Sequence, residues 1–264
     1  MSDPRTFVIV GAGLAGAKAA DTLCEEGFDG RVVLLGDEHH VPYARPPLSK
    51  GYLQGADQRE SVLVHPADWF VEHDIDLRLG VPATGLDRHA RAVVLADGTR
   101  VGYDALLLAT GSSPRQLAVP GADLPGVHCL RTLDDSDRLK QGLARASRVV
   151  IIGGGWIGLE VAAAARQAGV EVTVLEQLPL PLLRVLGSEV AAIFADLHRS
   201  HGVDLRGNLN VRRLHAHAGR LAGVELGDGS RIDADLAVVG VGITPNTAIA
   251  EAAGLEVDNG VRVD

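Results

Sequence analysis

The chain has 264 residues, of which 46% are apolar and 22% charged, and its formal net charge is −9 at pH 7. This composition is that of an ordinary globular protein, and the length gives room for about two domains. The negative charge argues against nucleic acid or an anionic membrane as the main partner. No apolar run approaches the ~20 residues of a transmembrane helix.

The N-terminal segment and the cysteines indicate where the chain works. MSDPRTFVIVGAG lacks the basic segment, apolar core and small-residue cleavage site of a signal peptide. Cys24 and Cys129 lie far apart and form no C-x-x-C motif, which fits a reducing cytosol. The histidine pairs His39–His40 and His215/His217 have no further ligands near them in sequence, so we expect no metal site. These features predict a cytoplasmic α/β protein.

The first predicted element is an apolar strand that runs into a glycine-rich turn, TFVIVGAGLAG, containing Gly11, Gly13 and Gly16. In such a turn the first glycine makes a sharp exit from the strand, the second admits a pyrophosphate, and the third lets the helix pack closely. The following helix N-terminus attracts phosphate. The next strand, RVVLLGDE, ends at Asp37 and Glu38, where an acid typically binds a ribose diol.

The segment after these strands, YARPPLSKGYL, holds Lys50, one of three lysines in the chain. Adjacent prolines forbid a regular helix through Pro46 and Pro47. We therefore expect a rigid, non-helical arm.

The second half of the chain repeats the plan of the first. RVVIIGGGWIG supplies Gly153, Gly155 and Gly158, and EVTVLEQ ends at Glu176. The helix between them has an alanine-rich face, GLEVAAAARQAG, predicted to pack on a sheet. RAVVLADGTRVGYDALLLATGSSP also aligns with RLAGVELGDGSRIDADLAVVGVGITP at one constant offset, which matches Asp97–Gly98 with Asp228–Gly229, Asp104 with Asp235, Gly111 with Gly242, and Pro114 with Pro245. Two such copies predict two dinucleotide sites.

Several segments resemble the ferredoxin reductases of bacterial oxygenase systems, the putidaredoxin- and rubredoxin-reductase family, and more loosely the apoptosis-inducing-factor oxidoreductases. They are VIVGAGLAGAKAA, VPYARPPLSKGYL, LLLATGSSPR, LRTLDD, VVIIGGGWIGLEVAAAA and VGVGITPN, in that order. The resemblance covers essentially the whole chain. It implies an α/β fold with two Rossmann-like dinucleotide-binding domains, the second inserted in the first.

By this resemblance the first site holds FAD and the second holds NADH. The implied flavin site has Asp37 and its neighbour Glu38 at the adenosine ribose and the backbone of Ala83 at the adenine. Its remaining residues are Gly11, Gly13, Leu14, Ala15 and Gly16 around the pyrophosphate, Arg45 and Lys50 from the arm, and Thr110, Gly111 and Arg131 in the wall.

The implied nicotinamide site uses Gly153, Gly155, Ile157 and Gly158, with Glu176 at the ribose and Gly242 near the nicotinamide. An acid at position 176 repels a 2′-phosphate, and this favours NADH over NADPH. Arg184 lies close in sequence and weakens that preference.

Lys50 and Glu160 are the catalytic residues that the resemblance implies. An ammonium near the flavin would favour its reduced, anionic form, and Glu160 would hold that ammonium ready. The alternatives are a solvated surface lysine and an acid that only stabilises a helix N-terminus. Trp156 stands where the family often has tyrosine; it either covers the flavin ring or only packs. Neither cysteine matches a redox-active pair, which disfavours thiol chemistry.

The resemblance gives an FAD-binding domain of residues 1–113 and 247–264 and a NAD-binding domain of residues 114–246. The family's C-terminal interface domain, and the late Gly–Asp turn that binds the ribityl chain, are not in this sequence. A fragment of a longer protein, a natural short form, and completion by another chain are three explanations. If Asp264 is the true end, we expect weak or absent FAD and an intact nicotinamide site.

The function that these features imply is a flavoprotein reductase, an enzyme that passes hydride from NADH to FAD and then electrons to a ferredoxin- or rubredoxin-type carrier. The alternatives are the flavin subunit of another NADH-linked system, such as nitrite reductase, and a nucleotide-binding module without turnover. A homodimer of the full-length form stays open.

Overall fold

The computed structural model describes residues 5–264. The strands are β1 (Thr6–Val10), β2 (Arg31–Leu35), β3 (Ile75–Arg78), β4 (Ala83–Asp87), β5 (Ala92–Leu95), β6 (Arg100–Gly102), β7 (Ala105–Leu108), β8 (Ser112–Pro114), β9 (Val127–His128), β10 (Arg148–Ile152), β11 (Glu171–Leu175), β12 (Val203–Arg206), β13 (Val211–His217), β14 (Arg220–Leu226), β15 (Arg231–Asp233), β16 (Leu236–Val239) and β17 (Ile243–Pro245). The helices are α1 (Leu14–Glu25), α2 (Gly51–Gln54), α3 (Ala67–Glu72), α4 (Leu133–Leu143), α5 (Trp156–Gln167), α6 (Leu183–Ser200) and α7 (Ala248–Ala252), and short 3-10 turns span Pro46–Ser49 and Glu60–Val62.

The chain divides into two compact units. The first contains the described residues up to Ala44, together with Arg59–Ser113 and Thr244–Asp264. The second contains Pro114–Ile243 and also the arm Arg45–Gln58. The arm therefore packs with the second unit, although it lies in sequence between two segments of the first.

The first unit is built on a parallel sheet in the order β3-β2-β1-β7. Alternate residues of β1 point to opposite faces of this sheet. Val8 packs towards the antiparallel meander β4-β5-β6, and Ile9 packs towards Ala20 of α1 and Phe70 of α3. Each of these four side chains is at most 2% exposed. A strand buried on both faces needs a continuous apolar run, and TFVIV supplies it.

The second unit repeats this arrangement around the parallel sheet β12-β11-β10-β16-β9 and the antiparallel meander β13-β14-β15. Val150 packs on the meander side with Val224. The alanine-rich face of α5 is buried, and Ala162 and Ala165 are fully covered. The prediction that this face packs on the sheet is confirmed, since α5 contacts β10 and β11.

The internal repeat predicted from the sequence is therefore present in the fold. β1, α1, β2, the β4–β6 meander and β7 correspond in order to β10, α5, β11, the β13–β15 meander and β16. In both units the strand that follows the meander pairs in parallel with the first strand. Within residues 5–264, no helix is both long and apolar enough to cross a membrane.

Candidate functional site

The first glycine turn forms an open cradle at the N-terminus of α1. Gly11 has φ of +115°, and a Cβ there would lie 2.1 Å from the carbonyl oxygen of Ala109. A Cβ on Gly16 would lie 1.9 Å from the Gly11 oxygen, so α1 approaches the turn as closely as the backbone allows. Gly13 differs, because a Cβ there would meet nothing within 4 Å. Gly13 is the N-cap of α1 and no side chain caps this helix end, so its first N–H groups face open space and fit a pyrophosphate.

A cavity of about 400 Å³ in the first unit brings together four of the predicted flavin-site residues, Gly11, Asp37, Ala83 and Thr110. The Asp37 carboxylate is exposed just beyond the end of β2. Its neighbour Glu38 accepts a 2.5 Å hydrogen bond from the Tyr43 hydroxyl instead. Of the two acids predicted for the ribose, Asp37 alone lines this cavity.

Asn246 is a structural residue of this cavity that the sequence reasoning did not identify. Its side-chain amide donates to the Thr110 carbonyl oxygen at 2.8 Å, and its side-chain oxygen accepts from the Ser113 hydroxyl at 2.8 Å. Its backbone N–H donates to the Gly111 oxygen at 2.9 Å, and its backbone oxygen accepts from the Thr110 hydroxyl at 2.6 Å. Asn246 thus fixes the Thr110–Gly111 wall, and the final residue of VGVGITPN was its only sequence signal.

The second glycine turn has the same construction as the first. Gly153 has φ of +109°, and a Cβ there would lie 2.4 Å from the Gly240 oxygen. A Cβ on Gly158 would lie 2.1 Å from the Gly153 oxygen, while a Cβ on Gly155 would meet nothing within 4 Å. Gly155 is the N-cap of α5, and again no side chain caps the helix. This cradle also fits a pyrophosphate.

A cavity of about 320 Å³ in the second unit is lined by five predicted nicotinamide-site residues, Gly153, Gly155, Trp156, Glu176 and Gly242. Gly158 is buried beneath the turn rather than on the cavity wall. Ile157 lines a separate, smaller cavity in the same unit.

The Glu176 carboxylate is held at the end of β11 by two backbone N–H groups. One oxygen accepts from Gly154 at 2.7 Å, and the other accepts from Leu178 at 2.9 Å. Arg184 lines the same cavity. An acid and a base therefore both reach the region where a dinucleotide ribose would lie, with the acid fixed in position.

The Trp156 side chain is 46% exposed, at the start of α5. Its ring packs edge-on against Phe194 of α6, with 5.6 Å between ring centroids. Both alternatives for Trp156, a ring that covers a cofactor and a ring that only packs, are compatible with this position.

The arm differs in form from the prediction. Pro46–Ser49 is a 3-10 turn with prolines in its first two positions, and Gly51–Gln54 forms one short helical turn. The prediction of a non-helical arm was wrong, because proline is excluded from helix interiors but tolerated in the first turn, where its missing N–H has no partner to lose.

Three side-chain hydrogen bonds hold the arm within the second unit. The buried Ser136 hydroxyl donates to the Leu48 oxygen at 2.8 Å. The Tyr52 hydroxyl donates to Asp137 at 2.7 Å, and the Arg45 guanidinium donates to the Arg131 backbone oxygen at 2.6 Å. Ser136 and Asp137 belong to α4, whose N-terminus carries a capping box. The arm is therefore attached to a well-defined helix.

The arm brings Lys50 to Glu160 in the first turns of α5. Lys50 Nζ lies 2.8 Å from Glu160 Oε1, and the two side chains are 53% and 26% exposed. The Ser49 hydroxyl donates to the other carboxylate oxygen, Oε2, at 2.5 Å. A cavity of about 240 Å³ is lined by these three residues and also by Arg45, Arg131 and Ile157. Ser49 was not singled out in the sequence.

A family model for pyridine nucleotide-disulphide oxidoreductases matches residues 5–264. The chain belongs to this family. The predicted family and the predicted fold class, two Rossmann-like dinucleotide-binding units with the second inserted in the first, are confirmed.

Several relatives within the pyridine nucleotide-disulphide oxidoreductases are electron-transfer reductases. Rhodocoxin reductase of Rhodococcus erythropolis is 48% identical over 98% of this chain and 61% of its own length. Putidaredoxin reductase CamA of Pseudomonas putida is 40% identical over 100% of this chain and 64% of its own length. The chain thus spans less than two thirds of these relatives.

Solved structures agree with this placement. The covalent putidaredoxin reductase–putidaredoxin complex superposes with a TM-score of 0.95 and 39% identity over 98% of this chain and 63% of that one. The ferredoxin reductase for the CYP199A2 system of Rhodopseudomonas palustris gives 0.94 and 42% identity over 97% of this chain and 63% of that one.

This member of the pyridine nucleotide-disulphide oxidoreductases has its two cysteines free. Burial raises the pKa of both the Cys24 and the Cys129 thiol, and the charges of Asp21 and Asp135 respectively add to the effect. A raised pKa keeps a thiol protonated and a poor nucleophile. Within the described part of the chain, no three histidine, cysteine or acidic side chains are grouped as they would be around a metal ion.

Proposed function

We propose that this chain acts as a flavoprotein reductase, which takes hydride from NADH onto FAD and delivers electrons to a small iron–sulfur carrier of the ferredoxin or rubredoxin type. The observation that carries the proposal is the pair of open glycine cradles, each with an uncapped helix behind it and an acid at the end of the next strand. The relatives named as reductases of ferredoxins, putidaredoxin and rhodocoxin support the choice of reaction.

The first unit provides the residues that would hold FAD. The N–H groups at the start of α1 receive the pyrophosphate, and Gly13 leaves room for it. Asp37 accepts hydrogen bonds from the adenosine ribose, and the Ala83 backbone lies on the wall of the same cavity. FAD, when bound, supplies the redox chemistry, since it accepts a hydride and releases electrons singly.

The second unit provides the residues that would hold NADH. Glu176 binds the ribose hydroxyls, and its charge disfavours the 2′-phosphate of NADPH. Because two backbone N–H groups fix this carboxylate, it cannot easily turn away from an incoming phosphate. Arg184 in the same cavity offsets part of this repulsion. We infer a preference for NADH.

We assign the catalytic role to Lys50 and Glu160. Hydride transfer needs accurate positioning of the two rings, and reduction adds negative charge to the acceptor. A lysine ammonium is a compact positive charge on a flexible stem, which suits it to stabilise that charge. Glu160 holds the ammonium in the meantime, as their 2.8 Å ion pair supports.

We place this reaction in the cytoplasm, where free cysteines stay reduced. The acceptor would be a protein that carries an iron–sulfur cluster and meets the reductase through surface contacts.

The proposal is tested by reconstituting the purified chain with excess FAD, removing unbound flavin and recording the visible spectrum anaerobically before and after NADH is added. We expect a bound flavin band that bleaches with NADH, and more slowly with NADPH. A colourless protein that cannot take up FAD would refute catalysis by this chain and leave the nucleotide-binding module as its function.

A further inference from the structure

We propose that Ser49 is a positioning residue whose buried hydroxyl fixes the Glu160 carboxylate so that it can hold the ammonium of Lys50. The relevance of this arrangement to hydride transfer rests on the proposed function. The arrangement itself can be tested on the chain without any cofactor.

The two partners of Glu160 come from consecutive residues of the arm. Ser49 ends the 3-10 turn, and Lys50 follows it in an extended conformation with φ and ψ both −121°. Ser49 donates to Oε2 at 2.5 Å, while Lys50 approaches Oε1 at 2.8 Å. The two oxygens of one carboxylate are therefore bound by two neighbouring side chains.

Burial separates the roles of these side chains. Ser49 is 5% exposed, and a buried hydroxyl is costly to leave without a partner. Lys50 is 53% exposed, and an exposed ion pair with a long flexible side chain is weak on its own. The Ser49 bond thus determines the rotamer of Glu160, and Lys50 binds a carboxylate that is already oriented. Lys50 can then leave the pair without releasing Glu160.

The test uses the reactivity of lysine amines in the cofactor-free chain. An amine must leave its ion pair before it can react with an acylating reagent such as succinimidyl acetate. The chain has three lysines, so each can be followed by peptide mass spectrometry. Lys18 is the internal standard, because it also forms a 2.7 Å ion pair, with Asp21, and its side chain is 56% exposed.

We expect Ser49→Ala to raise the labelling of Lys50 relative to Lys18 by about two- to fivefold, the range that corresponds to losing an exposed ion pair. Glu160→Gln should raise it to a similar extent. If Ser49 acts through Glu160, the double variant should show no more labelling than Glu160→Gln alone. Tyr52→Phe is the matched control, because it removes one hydrogen bond from the same arm but none from Glu160, and its ratio should stay at the wild-type value.

Three results would overturn the proposal: an unchanged ratio in Ser49→Ala, additive effects in the double variant, or an equal rise in Tyr52→Phe. Circular dichroism and thermal unfolding confirm that each variant is folded, and Ser49→Cys, of similar size but with a weaker donor, replaces the alanine variant if that one is not. Since no cofactor is present, a failure to bind FAD would refute the proposed function and leave this test intact.

Where the chain takes up FAD, Ser49→Ala should lower the rate of flavin reduction without changing NADH affinity. A change in NADH affinity alone would show that Ser49 shapes the nucleotide site rather than the position of Lys50.

Discussion

Replacing Gly155 and Gly158 by alanine separates the ligand-binding role of one glycine from the packing role of the other. A Cβ on Gly158 would lie 2.1 Å from the Gly153 backbone oxygen, so α5 would have to move by about 1 Å to restore an ordinary contact. Overpacking of this kind costs about 1–3 kcal/mol of unfolding free energy, or more where backbone must move. Gly158→Ala is therefore expected to unfold at a clearly lower denaturant concentration.

Gly155→Ala should behave in the opposite way. A Cβ there meets no protein atom within 4 Å, and the φ of −79° suits alanine. The unfolding free energy should change by at most about 1 kcal/mol, the usual effect at a helix N-cap. The added methyl occupies the space assigned to the pyrophosphate, so NADH affinity should fall by about tenfold or more, a loss of about 1.4 kcal/mol.

The assay pairs chemical denaturation with an NADH fluorescence titration on both variants. NADH binding by Gly155→Ala at wild-type affinity would refute the placement of the pyrophosphate. The first unit provides a replicate, since Gly13 is equally open and a Cβ on Gly16 would lie 1.9 Å from the Gly11 oxygen; there the ligand is FAD.

Three further predictions concern individual side chains. Lys50→Ala should slow single-turnover flavin reduction with NADH affinity nearly unchanged; an unchanged rate would refute its catalytic role. Glu176→Gln removes the fixed charge and should narrow the ratio of NADPH to NADH dissociation constants by about tenfold, whereas a constant ratio would show that the charge does not select the nucleotide. Arg78 and Arg31 hold the pKa of the Asp76 carboxyl below its usual value. Its stabilising effect is thus complete above the unfolded-state pKa and lost as the pH falls through the folded-state pKa. Asp76→Asn should cost about 1 kcal/mol at pH 7 and little at pH 2, and an equal loss at both pH values would contradict this.

The sequence was sufficient to predict the features that depend on neighbours along the chain. Apolar runs such as TFVIV predict buried strands, and the glycine spacing predicts the turns, because each glycine is required by a local close approach. The repeated pattern then predicts two similar units. Asp37 and Glu176 follow from the same logic, since both come directly after a strand.

Features that depend on distant residues could not be predicted in this way. Ser49 acts through Glu160, 111 positions away, and Asn246 acts on Thr110, 136 positions away. No periodicity connects such pairs. The packing of the arm with the second unit has the same origin, because its partners Ser136 and Asp137 lie on α4. The 3-10 turn was missed for a different reason, since the prolines fall in its first two positions.

The central claim is that one chain has two dinucleotide sites of different specificity. Isothermal titration calorimetry of NADH into the FAD-saturated chain, and of FAD into the NADH-saturated chain, tests it most directly. We predict one site per chain for each ligand, with neither displacing the other. Competition between FAD and NADH for a single site would contradict the account.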